Sequence, residues 1–184
     1  MSIINDLSEL LIRIAMWIVF VRFWIQWAYA DFYNPISQGI VKLSNPVCQP
    51  FRKLVPANRR YDWGSLIAFI ALALLRWLLD YLLMGSVNRQ LVDVDYIIRN
   101  TFYLLLDVSL MAIFFMLIIQ AIASWIAGSH YNPAIKLISQ LTEPLLRPIR
   151  RIFPPSGGLD FSPMIAMILV WLLLRIFTPS PGLF

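Results

Sequence analysis

The chain has 184 residues, of which 60% are hydrophobic and only 14% are charged, and its mean hydropathy is +0.73. A soluble domain of this size exposes much of its surface and carries roughly a quarter charged residues. The composition therefore excludes a disordered chain, a nucleic-acid-binding domain and a typical cytosolic enzyme, and it predicts an integral membrane protein. The net charge is +5, and the basic residues flank apolar runs, which favours anionic lipid headgroups over nucleic acid as the partner.

Four apolar runs are the first elements to emerge along the chain. A bilayer core about 30 Å thick needs about 20 helical residues, and we expect each run to form a transmembrane helix. The first run lacks a basic leader and outlasts the apolar stretch of a signal peptide, so we interpret it as a retained helix. The predicted helices cover about 7–30, 64–84, 102–127 and 162–178.

Two basic segments, 34–56 and 132–154, separate the helices of each pair. Asn34-Pro35 and Asn132-Pro133 are typical of a helix cap followed by proline in the first turn. Apolar residues then recur at helical spacing on one face, which predicts amphipathic helices lying in the membrane interface. Internal prolines, two in each segment, predict that these helices are broken.

The chain repeats itself after 98 residues, since 33–56 aligns with 131–154 without a gap. Prolines, an arginine and an aspartate fall in register, which apolar composition alone does not produce. The matched pairs include Pro46/Pro144, Pro50/Pro148, Arg52/Arg150, Pro56/Pro154 and Asp62/Asp160. The predicted fold is an all-α membrane protein with four transmembrane helices in two parallel repeats, 1–95 and 96–184, each with an amphipathic interfacial helix between its two spans.

Lysine and arginine set the predicted orientation. Segments 31–63 and 128–161 hold five and four of them, whereas the connection 85–101 holds two that aspartates balance. Cytoplasmic loops carry the excess of basic residues, so we expect both basic segments to face the cytoplasm and both termini to face the periplasm.

The motif YNP…EPLLRPIRRIFPPSGGLDFSP at 131–163 resembles the YggT family of small membrane proteins, also called YlmG. The first copy, YNP…NPVCQPFRKLVPANRRYDW, is a looser version without the glycines of 157–158 and the Ser162-Pro163 pair. The resemblance covers nearly the whole chain and corresponds to the two-unit proteobacterial form. It implies a bacterial inner-membrane protein associated with osmotic and cation homeostasis, or with cell division, nucleoid distribution and cytochrome maturation. No catalytic residue is established for the family, so the resemblance implies none in this chain.

Charged side chains inside apolar runs each cost roughly 2.5–3.5 kcal/mol if unpaired. Glu9 and Asp107 are repeat equivalents, and Arg76 and Arg175 each follow the start of their run by 12 residues, or about 18 Å of helix. We expect Glu9 to pair with Arg76 and Asp107 with Arg175. The other intramembrane polar residues are Arg13, Arg22, Asp80 and Gln120.

Three interpretations of these charges stay open. Structural pairing fixes helix register, ion or proton movement uses the charges directly, and snorkelling takes them to the headgroups. Local pairs at i,i+4, Glu9 with Arg13 and Arg76 with Asp80, compete with the interhelical pairs.

The basic segments supply candidate lipid or partner contacts, namely Arg52, Lys53, Arg147, Arg150 and Arg151. Each basic residue near an anionic surface contributes about 1 kcal/mol to binding. The alternative is that these residues only determine topology. Asp62 and Asp160 each precede an apolar run and are predicted to cap the helix that follows.

The sequence offers little for chemistry. The chain has a single cysteine, Cys48, and a single histidine, His130, so we expect no metal centre, no enzyme activity and no cofactor. The preferred function is support of osmotic tolerance and cation homeostasis, as an oligomeric conduction path or a transporter regulator. The alternative is a non-conducting scaffold for cell division or for membrane-complex assembly, with a homo-oligomer or other membrane proteins as partners.

Overall fold

The computed structural model describes residues 2–55, 58, 61–83, 94–126, 132–154 and 160–177. These residues form six α-helices and no β-strand, so the expected all-α fold is confirmed for the described part of the chain. In chain order the helices are α1 (Ser2–Trp27), α2 (Pro35–Leu54), α3 (Trp63–Leu83), α4 (Val94–Ile126), α5 (Pro133–Ile152) and α6 (Ser162–Phe177).

Helices α1, α3, α4 and α6 coincide with the apolar runs. Length and composition identify one described segment, Val94–Ser124 of α4, as able to cross a membrane, where the sequence predicted four spans. Trp63–Leu79 of α3 and Ser162–Phe177 of α6 are apolar but shorter. Helix α4 starts about eight residues before its apolar run, and its first turns contain an ion pair between Asp95 and Arg99 (3.2 Å, i,i+4).

Helices α2 and α5 begin as the Asn-Pro pairs predict. The Asn34 side chain accepts a hydrogen bond from Ile36 N at 2.9 Å, and Asn132 accepts one from Ala134 N at 2.8 Å. Each cap satisfies a backbone donor that has no partner inside the helix, and the following proline has no N–H to satisfy.

The expected break at the internal prolines is wrong. Helix α2 continues through Pro46 and Pro50, and α5 continues through Pro144 and Pro148. The two prolines of each helix are four residues apart and therefore lie on one face, away from the buried residues Ser44 and Cys48 in α2. A proline ring removes a hydrogen bond only on its own face, so the opposite face keeps its helical path.

Each repeat is a helical hairpin with its amphipathic helix laid against both long helices. In the first repeat α1 packs on α3 and α2 contacts both, and in the second α4 packs on α6 and α5 contacts both. The repeats meet where α4 contacts α1 and α3, and where α2 contacts α5.

Apolar side chains fill the centre of the bundle. Met16 and Leu117 are fully buried, and the rings of Phe20 and Phe69 lie 5.8 Å apart between α1 and α3. Long apolar side chains also cover the outside, and α6 alone exposes several of them: Met164, Ile168, Leu169, Trp171, Leu172, Leu173, Ile176 and Phe177.

Helix α1 ends in a tight turn at Tyr29, whose φ is +54°. Ala30 N donates to Ile25 O at 3.0 Å and Tyr29 N donates to Gln26 O at 3.2 Å, the bond pattern of a Schellman cap. Glycine is the usual residue there, and a side chain in this conformation costs roughly 1–2 kcal/mol. The turn directs the chain back across the end of the bundle towards α2.

Candidate functional site

Four charged side chains form a network between α1, α3 and α4. Glu9 accepts hydrogen bonds from Arg13 at 3.0 Å and from Arg76 at 2.9 Å. Arg13 also donates to Asp107 at 3.2 Å, so the chain of contacts runs from α3 through α1 to α4. Since α4 belongs to the second repeat, this network joins the two repeats.

The predicted pairing is reproduced in one repeat and not in the other. Glu9 and Arg76 are brought together, but Asp107 lies against Arg13, and Arg175 stands over the ring of Trp171 at 5.5 Å. The 98-residue shift places Leu174, not Arg175, opposite Arg76. One residue turns a side chain about 100° around a helix, which takes Arg175 off the face of α6 that meets α4. The side chain of Asp80 lies outside the described residues.

A cavity of about 270 Å³ adjoins this network. Its walls include Glu9, Arg13 and Arg76, and also Thr101, whose buried hydroxyl has no hydrogen-bond partner within the described ranges.

The opposite end of the first repeat is organised around Arg22, which is only 3% exposed. Arg22 Nη1 donates to three oxygens of α2, namely Val41 O at 3.2 Å, Ser44 Oγ at 2.9 Å and Asn45 Oδ1 at 2.8 Å. Its Nε donates to Asp62 Oδ2 at 3.3 Å. A buried guanidinium is tolerated because a carboxylate and neutral acceptors surround it.

Asp62 is the counterpart of Arg22 at the start of α3. Besides Arg22 it binds the Ser65 backbone N–H at 3.2 Å and the Ser65 hydroxyl at 2.8 Å, the bonds of a helix cap. Arg52 of α2 approaches its other oxygen at 3.3 Å. We call α2 together with the start of α3 the first elbow, and Asp62 ties its parts to α1.

The second elbow, α5 with the start of α6, is built from equivalent positions with different charges. Gln120 stands where the first repeat has Arg22, and it accepts a hydrogen bond from Ser139 at 3.0 Å. Arg150, equivalent to Arg52, binds both Asp160 (2.8 Å) and Glu143, the residue at the position of Asn45. Each elbow thus holds its aspartate with the equivalent arginine, Arg52 or Arg150, and the first elbow adds Arg22 from α1.

Asp160 caps α6 by accepting a hydrogen bond from Ser162 N at 2.9 Å. Burial raises the pKa of this carboxyl, but the hydrogen bonds from Ser162 and Arg150 outweigh burial and bring the pKa below its ordinary value. Asp160 therefore stays ionised at neutral pH and keeps its hold on Arg150.

The remaining basic candidates lie on the surface of the elbows. Lys53 and Arg151 are exposed, and Arg147, also exposed, lies 3.7 Å from Glu143. These side chains are placed to contact a charged surface, whereas Arg52 and Arg150 are partly engaged by the aspartates.

Polar contacts also join the segment before α2 to α5. Lys136 Nζ donates to Asp31 Oδ2 at 2.9 Å, and Asn34 Nδ2 donates to Pro133 O at 2.7 Å. The hydrogen bond from Lys136, followed by one from the Tyr33 backbone, lowers the pKa of Asp31. The repeats are therefore connected at both ends of the bundle.

Metal-ligating side chains are not clustered in the described ranges. No group of three or more His, Cys, Asp or Glu side chains is placed there to hold a metal ion. Cys48 is buried, which raises the pKa of its thiol. His130 lies outside the described residues.

Two features escaped the sequence reasoning. One is the bridge from Arg13 to Asp107, because hydropathy does not reveal which helices are neighbours. The other is the difference in charge between equivalent positions of the two elbows. The 98-residue shift places Arg22 opposite Gln120 and Asn45 opposite Glu143, so comparing the two copies at those positions would have revealed this difference.

Comparison with known proteins places the chain among bacterial relatives. Residues 1–83 and 99–180 match the family described as CCB3/YggT. The chain is 34% identical over 173 residues to the uncharacterized protein YggT of Escherichia coli strain K12, covering 94% of this chain and 88% of that protein. It is 38% identical over 155 residues to an uncharacterized protein of Pseudomonas aeruginosa (82% and 76% covered), and 33% identical over 168 residues to one of Vibrio alginolyticus (91% and 89%). No solved structure matches the chain.

Proposed function

The chain belongs to the CCB3/YggT family, and on that premise we propose that it is a four-span inner-membrane protein that supports osmotic stress tolerance and cation homeostasis by regulating a partner membrane protein. The physiological part of this proposal follows from the family resemblance. The mode of action, regulation without conduction by the single chain, follows from the distribution of polar residues in the bundle.

The surface of the bundle supports the membrane placement. Helix α4 is long enough to span, and the exposed side chains of α3 and α6 are mainly leucine, isoleucine and aromatic residues. A soluble monomer rarely exposes so much contiguous apolar surface. With the basic elbows on the cytoplasmic side, both termini and the network around Glu9 face the periplasm.

One observation carries the non-conducting mode. Segments 14–21, 66–75, 110–119 and 164–173 of the four long helices hold only apolar and aromatic side chains. They separate the Glu9 network from the Arg22 network, and along α1 the gap from Arg13 to Arg22 is about 14 Å. An ion in such a layer would have no ligands to replace its water, so a single bundle presents a barrier to ions.

The exposed charges favour a second candidate, a scaffold for cell division or membrane-complex assembly. Lys53, Arg147 and Arg151 project from the elbows and suit anionic lipids or an acidic partner. Both candidates use the same surface, and they differ in whether the partner transports ions.

Reconstitution into liposomes tests the mode of action. The purified chain is placed in vesicles carrying a potassium or sodium gradient, with protein-free vesicles and valinomycin-treated vesicles as controls. We expect flux equal to that of protein-free vesicles. Flux that scales with protein content would overturn the non-conducting mode and favour the oligomeric conduction path.

Complementation tests the elbow surface. A strain lacking the gene is grown under hyperosmotic or high-salt stress and supplied with wild-type or variant chain. We expect the double variant Arg147→Gln, Arg151→Gln to fail, and Arg99→Gln, an exposed arginine at the other end of the bundle, to restore growth. Equal restoration by both variants, at equal abundance, would contradict a docking role for the elbow.

A further inference from the structure

The first elbow contains a cavity whose charged lining has no equivalent in the second elbow. It measures about 330 Å³ and lies between α1, α2 and the start of α3. Arg22, Arg52 and Asp62 line it, together with Gln26, Tyr29 and Phe32. Two guanidinium groups therefore face one carboxylate, and the walls carry an excess of positive charge.

The two arginines have donors to spare. Arg22 uses Nε and Nη1 for its four bonds, and no acceptor for Nη2 is found among the described residues. Arg52 approaches Asp62 through Nε, and its two terminal nitrogens likewise have no acceptor there. A guanidinium carries five N–H donors in a rigid fork that matches the oxygens of a phosphate. Both arginines line the cavity, and their unused donors are available to an anion that enters it.

In the second elbow, the chain itself supplies a carboxylate that binds the arginine. There Glu143 occupies the position of Asn45 and binds Arg150, while Gln120 replaces Arg22. Arg150 and the exposed Arg147 then face two carboxylates, so the charges of the second elbow balance. The two elbows share a backbone plan, and only the first one is left short of negative charge.

We propose that the cavity of the first elbow binds the phosphate group of an anionic lipid headgroup through Arg22 and Arg52. Its rim fits this ligand, because Tyr29 and Phe32 are 69% and 55% exposed and aromatic side chains favour the depth of the headgroups. The left-handed turn at Tyr29 brings this residue into the lining of the cavity. The lipid source rests on the membrane placement proposed above, whereas the phosphate chemistry does not.

The decisive variant copies the second elbow into the first. Asn45→Glu places a carboxylate where Arg22 already donates at 2.8 Å, so the new group satisfies the arginine from within and removes the excess charge. Gln38→Glu adds the same charge to an exposed position of the same helix and serves as the matched control. Arg52→Gln removes one of the proposed ligands directly.

The purified full-length chain in neutral detergent is titrated with dioctanoyl phosphatidylglycerol, dioctanoyl phosphatidylcholine and sodium phosphate, and binding is followed by calorimetry and native mass spectrometry. We expect wild type and Gln38→Glu to bind phosphatidylglycerol within twofold of each other. Asn45→Glu and Arg52→Gln should bind it at least tenfold more weakly, while Asn45→Glu unfolds at or above the wild-type temperature.

Each alternative outcome has a definite meaning. Equal binding of phosphatidylglycerol by wild type and Asn45→Glu would overturn the site. The membrane placement would still stand if the protein needs detergent for extraction. Tighter binding of sodium phosphate than of phosphatidylglycerol would assign the cavity to a soluble anion and overturn the lipid. Extraction without detergent would refute the membrane placement but not the anion site, because the titration with sodium phosphate tests anion binding independently.

Discussion

The buried pair of Arg22 and Asp62 gives the sharpest test of how the first elbow is held together. Both side chains are 3% exposed, and replacing Asp62 by asparagine leaves the guanidinium buried with neutral acceptors only. Removing one partner of a buried pair costs about 3–5 kcal/mol. Because Val41 O, Ser44 and Asn45 still accept from Arg22, we expect Asp62→Asn to fall at the lower end, about 3 kcal/mol.

The free energy of unfolding is measured by denaturant titration in detergent micelles, with helix content as the signal. Asp160→Asn is the matched control, because its partner Arg150 is 27% exposed and an ion pair open to solvent contributes about 1 kcal/mol. The double variant Arg22→Gln, Asp62→Asn removes both buried charges and should recover at least about 1 kcal/mol relative to Asp62→Asn alone.

Two results would refute this reasoning. One is a loss below about 1 kcal/mol for Asp62→Asn, which would mean that water reaches Arg22 in solution. The other is additive behaviour of Arg22→Gln and Asp62→Asn, which would mean that the two side chains are not coupled.

Three further predictions concern other contacts. Gly64→Ala should lower the free energy of unfolding by about 1–3 kcal/mol in the same titration, since the added Cβ would meet the Cγ of Arg52 and lie 2.9 Å from its Cα; an unchanged stability would show that α2 moves freely. Glu9→Gln should reduce stability by about 1 kcal/mol and leave liposome flux at background, whereas new flux would assign the charge to ion handling. Asp31, whose pKa is lowered chiefly by Lys136, stabilises the fold above the ordinary carboxyl pKa and loses this effect as the pH falls through the lowered value. The stability difference between wild type and Asp31→Asn should therefore be constant from about pH 7 to 5, shrink as the pH falls below about 4, and vanish only below the lowered pKa of Asp31. A difference that does not shrink on acidification would contradict the ion pair.

Much of the fold could be read from the sequence because its signals are local. Apolar runs placed the long helices, and Asn-Pro pairs placed the starts of α2 and α5 within a residue. The family resemblance is confirmed by the comparisons. These signals need no knowledge of what each helix touches.

The charge networks were only partly predictable because they depend on helix rotation and neighbour order. Asp107 and Arg175 are at similar predicted depth, yet a one-residue offset from the repeat register turns Arg175 off the shared face. The prolines of α2 and α5 misled for a related reason. A proline disrupts one face, and whether the helix survives depends on which face packs against the protein.

The unlike elbows have a consequence for how such a molecule can be constructed. A symmetric dimer of a half-length chain would present the same side chains twice, so every substitution in one elbow would also occur in the other. Covalent fusion of the two halves lifts that constraint. One elbow, with Arg150 held by Glu143 and Asp160, is free to specialise as a self-neutralised structural joint, and the other, with Arg22 and Arg52, as the proposed anion site.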